Sequence, residues 1–236
     1  MRYFGGKQRT AKRLVDAMED HIRGSSCWVE PFVGGASMAS EVGKRFPDKR
    51  LLCSDANKAL IRMWVALVNG WVPPEEVSRE EYQDLMVSKN HNDPMTAFAG
   101  FGCSFAGKWF GGYAKSDGRN YAKNARGSLL KKLDGLSMAE FFDFDYRFAI
   151  YPPESVIYMD PPYAGTTGYG AVGDFDHEEF WAFCRSLSQT GLHVFVSEYS
   201  APDDFEVFYE TETKTDIRMR DGSKETRVEK LFVYKG

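Results

Sequence analysis

Hydrophobic and polar positions alternate along the chain in a way that predicts strands followed by helices. Two short apolar runs end in an acidic residue, at 27–30 and 51–55, and each precedes a segment with helical apolar spacing, at 36–45 and 58–68. An amphipathic pattern over 7–23 predicts a further helix before the first strand. This alternation is typical of an α/β fold with a doubly wound, mostly parallel sheet.

The second part of the chain repeats this pattern and then changes it. Two more strands and a helix are predicted at 155–159, 192–197 and 178–188. The last two predicted strands, 213–220 and 226–234, are joined by Asp221-Gly222-Ser223, a strong hairpin signal. We therefore expect a C-terminal antiparallel hairpin to close one edge of the sheet.

Between residues 73 and 149 the alternation of strands and helices breaks down. Helix-like segments come first, and a stretch rich in glycine, aromatic and basic residues follows from 100 to 135. We predict that residues 73–149 form an inserted, largely helical lobe. Residues 1–72 and 150–236 then form the main domain.

The composition is that of a globular protein with a filled core. The 236 residues are 43% hydrophobic and 27% charged, which excludes disordered and collagen-like chains. Cysteines and histidines are scattered, without the close pairing of a zinc site. Residues 1–7 lack the apolar stretch of a signal peptide, and no run approaches the roughly 18 apolar residues of a membrane span. We expect a cytoplasmic protein with no metal and no membrane partner.

A glycine turn, Glu30-Pro31-Phe32-Val33-Gly34-Gly35, joins the first predicted strand to its helix. Small residues there let the backbone approach a ligand at a helix N-terminus. Asp55 ends the next strand about 20 residues further on, where an acid in a nucleotide-binding fold binds ribose hydroxyls. Two structural alternatives stay open, an ordinary turn and an Asp55 that caps the following helix.

The tetrapeptide Asp160-Pro161-Pro162-Tyr163 directly follows the predicted strand 155–159. Its prolines fix φ and lack N–H groups, so backbone carbonyls can face a ligand beside a carboxylate and an aromatic ring. Two acceptors and a stacking ring suit the exocyclic amino group of a flat base. The alternative is a proline-stiffened turn, with Asp160 as a turn acid and Tyr163 as a packed aromatic.

Three motifs together resemble those of Dam-type DNA adenine N6-methyltransferases. They are Arg2-Tyr3-Phe4-Gly5-Gly6-Lys7, the glycine turn and the tetrapeptide, and they occur in the order found in that family. The resemblance implies a seven-stranded methyltransferase-like sheet and S-adenosylmethionine as cofactor. It places the cofactor contacts on Tyr3, Lys7, Glu30, Phe32, Gly34, Gly35, Asp55 and Asp160.

The resemblance also implies direct methyl transfer to adenine N6, without a metal or a covalent intermediate. The catalytic residues would be Asp160, Pro161, Pro162 and Tyr163. The Asp160 carboxylate and the Pro161 carbonyl would hold the N6 hydrogens, and Tyr163 would stack on an adenine flipped out of the duplex. Cytosine N4 methylation, RNA adenine methylation and a catalytically silent DNA-binding protein stay open as alternatives.

The predicted lobe carries a basic stretch that the total charge conceals. The chain has 30 basic and 34 acidic residues and a net charge of −4. Residues 100–135 hold seven basic and two acidic residues, so this stretch is +5 and the remainder is −9. Basic residues interleaved with aromatic ones suit double-stranded DNA, although the aromatics could instead pack inward. The candidate DNA contacts are Lys108, Trp109, Tyr113, Lys115, Arg119, Lys123 and Arg126.

Other features limit what the resemblance implies. The segment 108–113 lacks the Asn- and Pro-containing pattern of GATC-methylating members, so no target sequence is predicted. Residues 164–174 contain four glycines and are expected to form either a cover over the substrate or a plain disordered loop.

We expect a monomer or weak dimer in the cytoplasm of a bacterial or phage-infected cell.

Overall fold

A computed structural model describes residues 1, 3, 5–163, 175–218 and 224–236, without side chains at 213–218 and 224–227. The strands are β1 Cys27–Glu30, β2 Arg50–Ser54, β3 Ala139–Phe142, β4 Ser155–Met159, β5 His193–Glu198, β6 Phe205–Arg218 and β7 Lys224–Tyr234. The α-helices of the described ranges are α1 Ala11–Ala17, α2 Glu19–Gly24, α3 Ser37–Arg45, α4 Lys58–Val68, α5 Arg79–Ser88, α6 Pro94–Ala97, α7 Tyr121–Leu133 and α8 His177–Gln189. Within these ranges no helix has the length and apolar character that crossing a membrane requires.

The strands form one mixed sheet in the order β3-β2-β1-β4-β5-β7-β6. The pairs β3–β2, β2–β1, β1–β4 and β4–β5 are parallel, whereas β7 is antiparallel to both β5 and β6. This confirms the α/β class and the mostly parallel, seven-stranded sheet. The strand order reverses between β1 and β4, and open α/β sheets bind ligands beyond the carboxyl ends of strands at such a point.

Strand β3 lies inside the segment predicted as an inserted lobe. It pairs with β2 in parallel, from Leu51↔Ala139 to Ser54↔Phe142, and so extends the main sheet. The sequence pattern missed it because four residues of a partly buried edge strand carry little alternation. The division at 73–149 remains a prediction, but the sheet takes one of its strands from that segment.

Two other elements differ from those predicted. The helix predicted over 7–23 is two helices, because Met18, with φ −97° and ψ 6°, leaves helical geometry between α1 and α2. Strand β6 begins at Phe205 rather than at 213, and a register shift between Val207 and Tyr209 obscures its alternation. The predicted turn at 221–223 and the loop at 164–174 lie outside the described residues.

Hydrophobic clusters cover both faces of the sheet. The larger one includes residues of α1, α3 and α4 around Trp28 and Tyr158, and the other includes Phe180 and Cys184 of α8. Helix α3 also approaches the turn after α7 closely, since a Cβ added to Gly43 would lie 1.9 Å from the Gly135 carbonyl oxygen. Glycine at this contact fixes α7 against the main sheet domain.

Candidate active site

A cavity of about 290 Å³ opens at the carboxyl ends of β1, β2 and β4, at the reversal of strand order. Its walls bring together most residues that the sequence assigned to cofactor or catalysis, which are Tyr3, Lys7, Glu30, Phe32, Gly34, Gly35, Asp55, Asp160 and Pro162. Lys108 and Trp109, predicted as DNA contacts, also line it. Residues distant in sequence therefore share one crevice.

The glycine turn wraps closely around Tyr3. Gly34 has φ +44°, and a Cβ there would lie 2.7 Å from Cε1 of the Tyr3 ring. The Gly34 N–H donates to Asp55 Oδ2 at 3.0 Å, and the Gly34 carbonyl accepts from Trp64 Nε1 at 2.9 Å. Glycine is thus required both by the left-handed backbone and by the aromatic ring beside it.

Asp55 organises the loop that follows β2. Its Oδ1 accepts from the Asn57 N–H at 2.9 Å while Oδ2 accepts from Gly34. Burial raises the pKa of Asp55 to about 6, although these backbone N–H groups favour the ionised form. The side chain that caps α4 is Asn57, which accepts from the Leu60 N–H at 3.1 Å, so the helix-cap alternative for Asp55 was wrong.

Two buried ionisable groups, Glu30 and Lys132, lie behind the glycine turn. The Lys132 ammonium donates to the Gly35 carbonyl oxygen and, at 2.9 Å, to Ser37 Oγ. Burial lowers the pKa of Lys132 to about 8 and raises that of Glu30 to about 8. Sequence reasoning counted Lys132 among the basic residues of the lobe, and nothing in the local pattern showed that it turns inward.

Asp160 stands at the end of β4 and binds the ammonium of Lys7. The Lys7 Nζ lies 2.9 Å from Asp160 Oδ1 and 2.9 Å from Glu229 Oε1. The three side chains expose only 7%, 18% and 13% of their surface for Lys7, Asp160 and Glu229, so water screens these charges poorly. Burial raises the pKa of Asp160 to about 6 against the opposing effect of Lys7, and the Glu229 charge adds to the rise.

Tyr163 belongs to the same network through its hydroxyl. That hydroxyl donates to Glu229 Oε1 at 2.6 Å and lies 2.8 Å from Ser197 Oγ, which itself lies 2.6 Å from Glu229 Oε1. The Lys7 ammonium also donates to the Tyr163 hydroxyl and sits 4.4 Å from the ring centroid. Sequence reasoning missed Glu229 and Ser197. Strand alternation could have found Glu229, which shares a face of β7 with the buried Leu231.

The predicted DNA contacts differ in their surroundings. Tyr113 turns inward, because its hydroxyl donates to the Val77 carbonyl at 2.7 Å and its ring packs on Tyr82. Trp109 packs on Phe101 and Phe110 at ring-centroid distances of 4.8 Å. Lys115 and Arg119 are exposed. Lys123 and Arg126 both pair with Glu75.

The sheet, the glycine turn and the crevice at the strand-order reversal define an open α/β fold, the class in which ligands bind at the carboxyl ends of parallel strands. Residues 3–96 and 107–225 match the family described as D12 class N6 adenine-specific DNA methyltransferase. The chain belongs to this family, and it is an enzyme that methylates adenine at N6 in DNA. The predicted family and adenine specificity are confirmed.

A curated relative agrees with this assignment. The Type II methyltransferase M.CviBI of Paramecium bursaria Chlorella virus NC1A is 24% identical over 251 residues. The alignment covers 93% of this chain and 91% of the relative. The similarity therefore spans both the sheet domain and the segment predicted as the lobe.

Proposed function

We propose that the enzyme takes its methyl group from S-adenosylmethionine bound in the 290 Å³ cavity, and transfers it to an adenine flipped out of double-stranded DNA. The observation that carries the proposal is the position of Asp160. Its carboxylate lines the same cavity as the Gly34 turn and Asp55, and it ends the strand next to β1. The proposed acceptor for the amino group, Asp160, thus lies beside the proposed nucleoside-binding residues of the Gly34 turn and Asp55.

The residues of the cavity fit S-adenosylmethionine chemically. The Gly34 turn leaves room for close backbone approach, the Phe32 ring offers a flat apolar face, and the acids Asp55 and Asp160 favour a cationic ligand. We propose that Tyr3, Phe32, Gly34 and Asp55 hold the cofactor. When bound there, it would supply an activated methyl group.

The polar groups at the end of β4 fit the target amine. The lone pair of adenine N6 is delocalised into the ring, so the free amine is a poor nucleophile. We propose that Asp160 and the Pro161 carbonyl accept hydrogen bonds from the two N6 N–H groups and thereby localise the lone pair toward the methyl group. N6 would form its bond to the methyl carbon as the bond from that carbon to the donor sulfur breaks, and it would then release one proton. Lys7 supports this role because its bond to Asp160 Oδ1 fixes the carboxylate at the strand end.

Base flipping follows from the depth of this site. An amine paired inside a duplex cannot reach Asp160, so the base must leave the stack at a cost of a few kcal/mol. We propose that the Tyr163 ring stacks on the extruded adenine and offsets part of that cost. The contacts of its hydroxyl with Glu229 and Ser197 support the role, since they hold the ring in one orientation.

A second cavity, of about 440 Å³, adds residues outside the predicted lobe to the candidate DNA contacts. It lies between α1, α3 and α7, and its charged lining is five lysines and one acid, namely Lys12, Lys44, Lys123, Lys131, Lys132 and Glu41. Among the described residues no carboxylate pairs with Lys12, Lys44 or Lys131. Ser37 lines both cavities. We call this second cavity the basic groove, and we propose that it holds backbone phosphates of DNA bound at the active site.

The double variant Lys12→Gln and Lys44→Gln is expected to weaken DNA binding and to flatten its salt dependence. Each lost phosphate contact lowers the slope of log K against log salt by about 0.9, so the pair should remove up to about 2. Fluorescence anisotropy of a labelled unmethylated duplex between about 50 and 200 mM salt measures this slope. Lys235→Gln is the control for the loss of a lysine charge elsewhere. Lys235 directly follows the end of β7, which lies at the amino ends of the parallel strands, whereas the active site lies at their carboxyl ends. An unchanged slope in the double variant would remove the groove from the interface.

Incubation with methyl-labelled S-adenosylmethionine and unmethylated bacterial genomic DNA tests the cofactor and substrate together. We expect label in DNA, recovered as N6-methyladenine after digestion to nucleosides. Mapping of the modified positions then gives the target sequence. If DNA stays unlabelled, whether or not RNA is labelled, the proposal is overturned.

We propose the cytoplasm of a bacterial or phage-infected cell as the location, because the DNA substrate is there.

Within the described ranges, no cluster of three or more His, Cys, Asp or Glu side chains is arranged to hold a metal ion. The proposed chemistry needs only the positioning of two reactants and the polarity of the site.

A further inference from the structure

Glu229 lies on β7, far in sequence from every motif of the site, yet its carboxylate contacts three side chains there, those of Lys7, Tyr163 and Ser197. Its Oε1 accepts from the Tyr163 hydroxyl at 2.6 Å and from Ser197 Oγ at 2.6 Å, and lies 2.9 Å from Lys7 Nζ. One carboxylate oxygen therefore joins the ammonium that binds Asp160 to the tyrosine of the same tetrapeptide.

The charges of this network make Glu229 more than a structural contact. Two carboxylates, Asp160 and Glu229, share the single ammonium of Lys7 at equal distances of 2.9 Å. The buried triad therefore carries one net negative charge when all three groups are ionised. Without Glu229, Asp160 would be the one carboxylate partner of the ammonium within the described part of the chain, and the acceptor strength of Asp160 toward an amine would fall.

The pKa shifts of Asp160 and Glu229 agree with this sharing of the Lys7 ammonium. Burial would raise the pKa of Glu229, but the Lys7 ammonium and the bonds from Ser197 and Tyr163 hold it below its usual range. Glu229 is thus anionic at neutral pH, and its charge raises the pKa of Asp160. A carboxylate that keeps part of its negative charge accepts a stronger hydrogen bond from an N–H group than a carboxylate whose charge is cancelled by a cation.

We propose that Glu229 is a positioning residue for methyl transfer: it shares the Lys7 ammonium with Asp160 and anchors the Tyr163 hydroxyl, and so sets both the acceptor strength of Asp160 and the orientation of the Tyr163 ring. The proposal rests on the proposed role of Asp160 as the acceptor for adenine N6. It adds a residue from the antiparallel edge of the sheet to a site otherwise built on the parallel strands.

The variant Glu229→Gln tests the charge while keeping the size of the side chain. We expect kcat to fall on the order of 10- to 100-fold, as for displacement of a positioned reactant, with the Kd for S-adenosylmethionine and for DNA changed by less than about threefold. The acid limb of the pH–rate profile should move to lower pH, because removing the Glu229 charge lowers the pKa of Asp160.

Two further variants separate this role from a structural one. Glu229→Asp retains the charge, so its acid limb should stay at the wild-type pH even where the shorter side chain lowers kcat. Glu206→Gln makes the same chemical change at an exposed position of β6 and should match the wild type. Thermal unfolding of each variant shows that it is folded.

The proposal is overturned by a wild-type kcat and acid limb in Glu229→Gln, or by equal losses of rate in Glu229→Gln and Glu229→Asp without a shift of the acid limb. The variant Asp160→Asn distinguishes this failure from failure of the proposed function. An inactive Asp160→Asn beside a normal Glu229→Gln refutes only the role of Glu229. Full activity of Asp160→Asn refutes the proposed function itself.

Discussion

Replacing Asp160 with asparagine is expected to lower the rate of methyl transfer by about 100- to 1,000-fold, the usual effect of removing one preorganised polar group from an active site. Asparagine keeps the size of the side chain but loses the charge that makes the acceptor strong. Lys7 keeps a carboxylate partner in Glu229, 2.9 Å away, so the fold should survive. Single-turnover incorporation of labelled methyl groups into DNA measures the rate.

The same variant is expected to bind DNA within about threefold of the wild type, because single-charge changes away from phosphates have little effect on the dominant electrostatic term. Asp203→Asn, at an exposed position after β5, controls for the loss of one negative charge. Residual turnover within tenfold of the wild-type rate would exclude Asp160 as the acceptor for N6.

The pH dependence of the wild-type enzyme gives a further readout of the same residue. Burial raises the pKa of Asp160 to about 6, so the carboxyl is neutral below that pH and anionic above it. If the anion is the acceptor, kcat/KM should rise through about pH 6 and level off near neutrality. Asp160→Asn should lose this limb along with most of its rate.

The sequence was a good guide where function depends on strand ends. The glycine turn and Asp160 follow adjacent parallel strands, β1 and β4, so their meeting at one edge of the sheet follows from topology alone. Lys7 was placed at the site only by resemblance, because its 156-residue separation from Tyr163 leaves no local signal. Strand topology and the family resemblance together place most of the predicted cofactor and catalytic residues at the cavity.

The sequence could not reveal how polar side chains pair across the fold. Glu229 and Ser197 come from β7 and β5, whose antiparallel pairing sets Ser197 opposite Leu231, and a register change would turn Glu229 to the other face. Trp64 and Lys132 hold the glycine turn from α4 and α7, in helical patterns that also fit plain core or surface positions. Such contacts are fixed by packing, which a local pattern does not encode.

Charge counted along the sequence also differs from charge available on the surface. Lys132 belongs to the basic stretch but is buried against Gly35, and Lys123 and Arg126 are paired with Glu75. Lys12 and Lys44 lie outside that stretch yet line the basic groove. The basic groove proposed for DNA phosphates is therefore assembled from α1, α3 and α7 rather than from one segment.

Replacing Lys7 with methionine is expected to have the largest combined effect on stability and activity. The Lys7 ammonium is the shared partner of Asp160 and Glu229, so its removal leaves two buried carboxylates next to each other. Breaking a buried ion pair by removing one partner costs about 3–5 kcal/mol, which urea unfolding near neutral pH would detect. Lys58→Met, at an exposed position in α4, is the control for the loss of one surface lysine.

The sign of the accompanying pH effect follows from the same geometry. Lys7 lowers the pKa of Asp160, so removing it should move the acid limb of the rate profile above the wild-type value of about 6. The rate near neutrality should then fall by at least about 100-fold, since less of the acceptor is ionised and its position is lost. Cofactor affinity measured in parallel separates this effect from a direct contact between Lys7 and the methyl donor.

Adding Glu229→Gln to Lys7→Met should restore part of the lost stability, because only one buried carboxylate then remains without an ammonium. A double-mutant cycle measures this coupling, and contacting charged residues usually differ from additivity by about 0.5–3 kcal/mol. The double variant should stay inactive, since neither partner then fixes Asp160 or Tyr163. Additive losses of stability would show that Lys7 and Glu229 do not form the buried pair on which the positioning role depends.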